Sequence, residues 1–270
     1  MRAVLRTGLR LTGDIRRTVT VGASETISGL EPPELLLVST KAYDTAGAVS
    51  ACRDWVSRDT LVLTLQNGLG NVELLRDWLG SRALGGTTTL GASLESPGVV
   101  RISGLGKTVV GSDMDVGAAR AVARTFSAAG IPTTVTPDIF REIWSKAVVS
   151  ACLNPTTAVL RVPNGKLVES RVLKRLLDEI CEECVSIAST SGVALDARAL
   201  RVRVRAVVRD TAKNTSSMLQ DVQHGKRTEI TEINGEFCRL GGLHGVASPL
   251  NDALTSMVES IRPRPRGEKG

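Results

Sequence analysis

The sequence predicts an α/β first half followed by an all-helical second half, with a domain boundary at about residue 136. Two observations carry this. Short, continuous apolar runs, "ELLLVST" (34–40) and "TLVLTLQNG" (60–68), read as strands buried on both faces. Helical patterns, "AGAVSACRDWVS" and "NVELLRDWLG", follow each of them, and strands that alternate with helices imply a parallel sheet.

Further along, "GGTTTLGASLES", "GVVRISG" and "KTVVGS" read as β-rich, then "ARAVARTFSAAG" as a helix and "IPTTVTP" as a last strand. Thr136-Pro137-Asp138 reads as a helix start: a capping hydroxyl, a proline in the first turn, and an acid favoured by the helix dipole. Beyond it the pattern is helical over 166–192, 196–224 and 246–261. In "RVRVRAVVRD" the spacing of Arg201, Arg205 and Arg209 predicts an exposed helical stripe, and the tail "RPRPRGEKG" reads as a disordered end.

Composition narrows the classes. With 270 residues, 42% of them hydrophobic, there is enough apolar material for two cores, built from aliphatic side chains because aromatics make up only 3%. A net charge of +6 suits anionic small molecules as well as nucleic acid, but no nucleic-acid recognition motif is present, and none is expected as a partner. Five cysteines without regular spacing argue against a disulfide framework and for a reducing compartment. The CxxC of Cys181 and Cys184 lies in a helical pattern with no second pair, so packing explains it and no metal is expected. No run approaches a membrane span and the N-terminus lacks a signal-peptide core; a soluble cytoplasmic protein is the expectation.

One helical segment carries chemistry. In "WSKAVVSACLNP", Lys146, Ser150 and Asn154 stand at i, i+4 and i+8, a single polar stripe on an otherwise apolar helix. Pro155 biases Asn154 away from α conformation, so the helix is expected to end there. "VPNG" is a turn that delivers Asn164 nearby in sequence. A lysine that snorkels, with capping asparagines, fits this pattern. So does a lysine facing an acid or a ligand anion, since an unpaired buried charge is expensive. A second cluster favours the latter: Asn214, Ser217 and Asp221 are spaced to share a helix face, and Glu229 supplies a carboxylate downstream.

With "STKAYDT" (39–45), "LQNGLGN" (65–71), "GGTTTLGA" (85–92), "WSKAVVSACLNPTTA" (144–158), "VPNGKL" (162–167), "NTSSMLQDVQHGKRTEI" (214–230) and "EING" (232–235), the chain resembles the ketopantoate reductase (2-dehydropantoate 2-reductase) family along nearly its whole length. The resemblance implies NADPH-dependent reduction of ketopantoate to pantoate on the pantothenate pathway. It makes 1–136 a partial, NADP-binding Rossmann-like domain and 137–270 a helical substrate and catalytic domain. Lys146 matches the family's proton-donating lysine. Asn67, Asn154, Asn164 and Ser217 match substrate-holding groups. Lys41, Asn67, Ala92 and Glu229 match cofactor contacts. Ser150 stands where the family often has asparagine, with a shorter reach, which leaves room for another branched 2-keto acid as substrate. His224 and His244 match no functional position. A homodimer through the helical half fits the same reading.

The family's opening strand–GxGxxG–helix, which cradles the pyrophosphate, is not found before "LRLTGDIRRTVTVGAS". "GLGNVE" lacks the third glycine. "GLGKT" has Arg101 where a phosphate loop needs its first glycine. In family terms the chain is expected to start roughly thirty residues late, so the Rossmann-like domain is read as N-terminally truncated, through a misplaced start or a deletion. A strand lost from the middle of such a sheet exposes apolar edges. The alternative reading is a degenerate, non-catalytic relative.

Overall fold

The computed structural model describes residues 1–261, so the basic tail from 262 to 270 lies outside the described residues. The chain divides into two compact units. The first comprises Met1–Thr40, Thr45–Leu65 and Val72–Ile139; the second comprises Lys41–Asp44, Gln66–Asn71 and the chain from Phe140 onward.

The first unit opens with helix α1 (Arg2–Thr7) and strands β1 (Leu9–Gly13) and β2 (Arg17–Val19). Then come β3 (Leu35–Val38), α2 (Thr45–Cys52), β4 (Leu61–Thr64), α3 (Asn71–Leu79), β5 (Ala83–Thr88), β6 (Ala92–Ser96), β7 (Val99–Ile102), β8 (Thr108–Gly111), α4 (Val116–Ala128) and β9 (Thr133–Thr136). Five strands form a Rossmann-like sheet in the order β3-β4-β5-β8-β9, parallel except for the antiparallel pair β5/β8. Because side chains alternate along a strand, this sheet is apolar on both faces. Leu63, Leu84 and Val110 pack against α4 residues Ala119 and Val122. Val62, Ala83 and Val38 pack instead with Val49 of α2 and with Leu75 and Leu79 of α3. The β-rich region also supplies a second sheet, β2-β1-β7-β6, which takes in the N-terminal hairpin through the parallel pair β1/β7. Strand β3 lies at an edge of the five-stranded sheet, and its Leu37 is 42% exposed.

The second unit is helical: α5 (Ile139–Leu160), a 3₁₀ turn (Asn164–Val168), α6 (Arg171–Thr190), α7 (Ala197–Asp210), α8 (Ser217–Gln223), a π-helical turn (Thr231–Gly235), α9 (Glu236–His244) and α10 (Pro249–Glu259). Its core gathers Val148, Cys152, Leu177, Ile180, Ile187, Val204, Met218, Ile233 and Phe237, with the Trp144 and Phe237 rings edge to face, centroids 5.7 Å apart. Cys181 and Cys184 are fully buried in that core. The Asp196 carboxylate caps α7, accepting from the Arg198 and Ala199 N–H groups at 2.9 and 3.1 Å. Asp196→Ala is expected to lower stability by about 1 kcal/mol, read as a lower midpoint of chemical unfolding.

Four expectations need correction. The helix expected from Thr136 begins at Ile139, because Thr136 still belongs to β9; its hydroxyl caps only locally, accepting from the Asp138 N–H at 3.1 Å. The pattern over 196–224 splits into α7 and α8, so Asn214 precedes α8 and shares no helix face with Ser217 and Asp221. Arg201 and Arg205 are not a free solvated stripe: they pair with Glu182 and Asp178 on α6, leaving Arg209 exposed. Finally, α5 does not stop at Asn154 but runs through Pro155 to Leu160. Proline has no N–H to give to the carbonyl four residues back. That carbonyl, of Ala151, accepts instead from the Asn234 side-chain amide at 3.1 Å. The helix ends six residues after the proline, at Arg161 in the left-handed region (φ 55°), with the Val162 N–H returning to the Thr157 carbonyl.

Candidate active site

Because α5 is unbroken, Lys146, Ser150 and Asn154 keep their i, i+4, i+8 stripe. Trp144, Ala147, Val148, Val149, Ala151 and Cys152 around it are buried. Lys146 makes no ion pair among the described residues, and burial pushes its ammonium down to about 8, with the charge of Glu229 acting in the opposite direction. The lysine and the acid therefore interact through space, not as the contact pair the sequence suggested.

Glu229 is the hub of the second cluster. It is buried, and its Oε1 accepts from the Ala42 N–H at 3.0 Å. Its Oε2 receives the Lys41 ammonium at 3.4 Å and the Asn67 amide at 3.5 Å. Lys41 leans more closely on Asp221, at 2.6 Å. Burial would lower the Lys41 ammonium, but the Asp221 hydrogen bond and the charges of Glu229 and Asp221 outweigh it and hold the group above its ordinary value. The two lysines are thus tuned oppositely, because one has a contact carboxylate and the other has none. Asp221, which the sequence placed in the second polar cluster without a role, is the close partner of Lys41. Its spacing four residues after Ser217 was visible, but nothing local reveals that its partner lies 180 residues away.

Two short segments from the first half bring Lys41 and Asn67 to this cluster, and both group with the helical unit. For the 66–71 segment the cause is Gly68. Its φ is +85°, and a Cβ there would sit 2.4 Å from the Glu232 carbonyl oxygen. Only glycine permits that approach, which lets the Leu69 N–H donate to the same carbonyl at 3.2 Å.

Asn164 is buried in the 3₁₀ turn. Its side-chain amide donates to Thr211 Oγ1 at 2.9 Å, and its backbone N–H donates to the Asn214 carbonyl at 3.0 Å. Its Oδ1 has no partner although it is buried, an acceptor oriented to no protein group. Ser217 is the first residue of α8 and exposed; Ser216 beside it caps that helix and exchanges a 2.7 Å hydrogen bond with Thr157 Oγ1 of α5. The structure therefore gathers Lys41, Asn67, Asp221 and Glu229, with Lys146 in the field of Glu229. Asn164 keeps its own contacts around Thr211. Ala92 opens β6 in the other unit, paired with Ile102.

Residues 1–114 match the model of the family described as "Ketopantoate reductase PanE/ApbA", and residues 138–262 match that of its C-terminal domain. The chain belongs to the ketopantoate reductase family. A 2-dehydropantoate 2-reductase of Pyrococcus horikoshii is 36% identical over 264 residues, covering 96% of this chain and 85% of the relative. One of Halobacterium salinarum is 39% identical over 228 residues, covering 83% and 75%. Among solved structures, a PanE/ApbA family ketopantoate reductase from Ralstonia eutropha JMP134 superposes with a TM-score of 0.88 at 29% identity, covering 96% of this chain and 86% of that one. A D-mandelate dehydrogenase solved with NADH and anilino(oxo)acetate reaches 0.91 at 24% identity, over 96% and 86%; that likeness concerns the fold alone.

Proposed function

We propose that this ketopantoate reductase family member reduces 2-dehydropantoate to pantoate with NADPH, with Lys146 as proton donor. The observation that carries the reading is an ammonium on a largely apolar helix that pairs with no carboxylate among the described residues and whose pKa burial lowers to about 8. Such a group is poor as a structural cation and well suited to general-acid work. The nicotinamide, when bound, supplies the hydride to the ketone carbon. As that carbon becomes tetrahedral, charge gathers on the former carbonyl oxygen, and Lys146 stabilises it and delivers a proton to it. Glu229 keeps enough negative potential on Lys146 for the ammonium to survive near pH 7.

Substrate holding falls to neutral groups. Asn154 and Ser150 extend the stripe of Lys146, Ser217 opens α8, and the unpartnered Oδ1 of Asn164 suits a hydroxyl donor such as the one on ketopantoate. Asn67 and Glu229, within 3.5 Å of each other, fit the nicotinamide end of a dinucleotide, while Lys41, which matches a family lysine near the adenine end, and Ala92 are read as further cofactor contacts. The 270 residues contain no strand–GxGxxG–helix of the kind that cradles a pyrophosphate. Domain roles follow the same proposal: 1–136 for the cofactor, 137–270 for substrate and catalysis, in a cytoplasmic protein that could pair through its helical half.

The test is a spectrophotometric assay of NADPH and NADH oxidation with ketopantoate and a panel of branched 2-keto acids, beside a direct titration with NADPH. Turnover with ketopantoate is the expected result; turnover only with another acid would point to Ser150 as the cause. NADPH affinity of the 270-residue chain is expected to be weaker than micromolar, and a micromolar Kd would show that contacts at the nicotinamide end suffice. A chain that binds neither substrate nor coenzyme would favour the non-catalytic alternative.

A further inference from the structure

Pro155 sits one residue after Asn154, inside a helix that must stay regular for the polar stripe to exist. The proline removes the N–H that would have closed the turn onto Ala151, and its ring crowds that same carbonyl. A buried carbonyl left without a donor is costly, so a helix in this position should fray or end at Asn154. It does neither, and the reason comes from 83 residues downstream.

Asn234 is fully buried in the π-helical turn that follows Glu229. Its amide nitrogen donates twice: to the Ala151 carbonyl at 3.1 Å and to Asn251 Oδ1 at 2.9 Å. Both acceptors fix which way the amide faces, because a flipped side chain would set oxygen against oxygen at each. Asn251, also fully buried, is itself held: its amide donates to Glu183 Oε2 at 2.8 Å, and the Leu250 and Asn251 N–H groups donate to the same carboxylate at 2.9 and 3.1 Å. Glu183 thereby caps α10, where Ser248 makes no side-chain cap. Asn234 is thus anchored from behind by α6 and α10 while it faces α5. A second tie secures the same turn from the other side. The Thr157 hydroxyl lies 3.0 and 2.9 Å from the Leu153 and Asn154 carbonyls and pairs with Ser216 at the head of α8.

We propose that Asn234 is a positioning residue: its amide stands in for the N–H that Pro155 lacks, and so holds α5 helical through Asn154 and keeps that side chain in line with Lys146. The functional part rests on the reading of Asn154 as a substrate ligand. The π-helical turn has a role in this. It widens the helix at Thr231–Gly235 and presents Asn234 inward, and turns of this kind recur at functional sites.

Pro155→Ala decides the matter, because it restores a backbone donor to the Ala151 carbonyl. The four chains to compare are the parent, Asn234→Ala, Pro155→Ala and the double variant. Two readouts apply: KM and kcat for ketopantoate, and amide hydrogen exchange of the α5 peptide spanning 148–160. Asn234→Ala alone is expected to raise KM about tenfold with kcat within about threefold, and to speed exchange about tenfold, the scale of one lost buried hydrogen bond. In the Pro155→Ala background both effects should shrink to within about twofold. Equal losses in both backgrounds, or none in either, would overturn the proposal, since a purely structural role through Asn251 does not depend on residue 155. Should Asn234→Ala not fold, Asn234→Asp retains the shape, replaces the donor with an acceptor, and enters the same cycle. The exchange measurement needs no turnover. A parent chain inactive on every keto acid would therefore sink the reductase reading, while the exchange cycle would still answer for Asn234.

Discussion

Lys146→Ala is expected to lower the turnover number for keto-acid reduction by about 10²- to 10⁴-fold with the fold intact. Lys41, the other lysine close to Glu229, is committed to Asp221 and Glu229 and is poorly placed to take over. With Lys146 in the proposed role of proton donor, the parent rate should fall as pH rises through about 8, while oxidation of the alcohol, which would use the free amine, should rise over the same range. The same group has a second, independent signature in stability. A lysine whose folded value lies below its ordinary 10.5 is charged in both states at pH 7, and there the folded state bears the cost. From about 8 to 10.5 the unfolded chain binds the extra proton, so stability from this group rises with pH across that window. The depression corresponds to about 3 kcal/mol. Lys146→Met should therefore be inactive yet more stable than the parent at pH 7 by an amount of that order, with the difference vanishing above pH 10.5. Near-normal turnover in the alanine variant would remove the assigned role; equal unfolding midpoints of parent and methionine variant at pH 7 would remove the desolvated ammonium.

Glu229→Gln is expected to be the next most damaging change. The glutamine retains the size of the side chain and can still accept from the Ala42 N–H. It loses the charge that raises Lys146 against its burial, so the alkaline limb of the pH–rate profile should move below about 8. It also leaves Lys41 with Asp221 as its remaining carboxylate partner. At pH 8 the turnover number should fall about 10- to 10²-fold and recover in part at lower pH, where the remaining ammonium is refilled. A loss independent of pH would mean that Glu229 acts on ligand geometry alone, without tuning the lysine.

The two lysines show how far local pattern reaches. Lys146 was visible as a polar position on an apolar helix, because helical periodicity is a property of neighbours. Its relation to Glu229 was half right: the charge is felt, but the contact belongs to Lys41 and Asn67. Arg201 and Arg205 failed the same way, since a basic stripe reads as solvated until the acids of the facing helix are known.

Alternation of apolar runs with helical patterns was enough, by itself, to set the α/β-then-α architecture, the strands from β3 to β9 and the stripe on α5, because these depend on spacings of two and 3.6 residues that any chain displays openly. The tertiary structure alone decided that α5 survives its proline, that Gly68 seats a loop against Glu232, and that Asp221 receives Lys41. Each of those depends on a donor or acceptor brought from far along the chain to a buried group, and the cost of leaving such a group unpaired, not the preference of the residues beside it, selects the conformation.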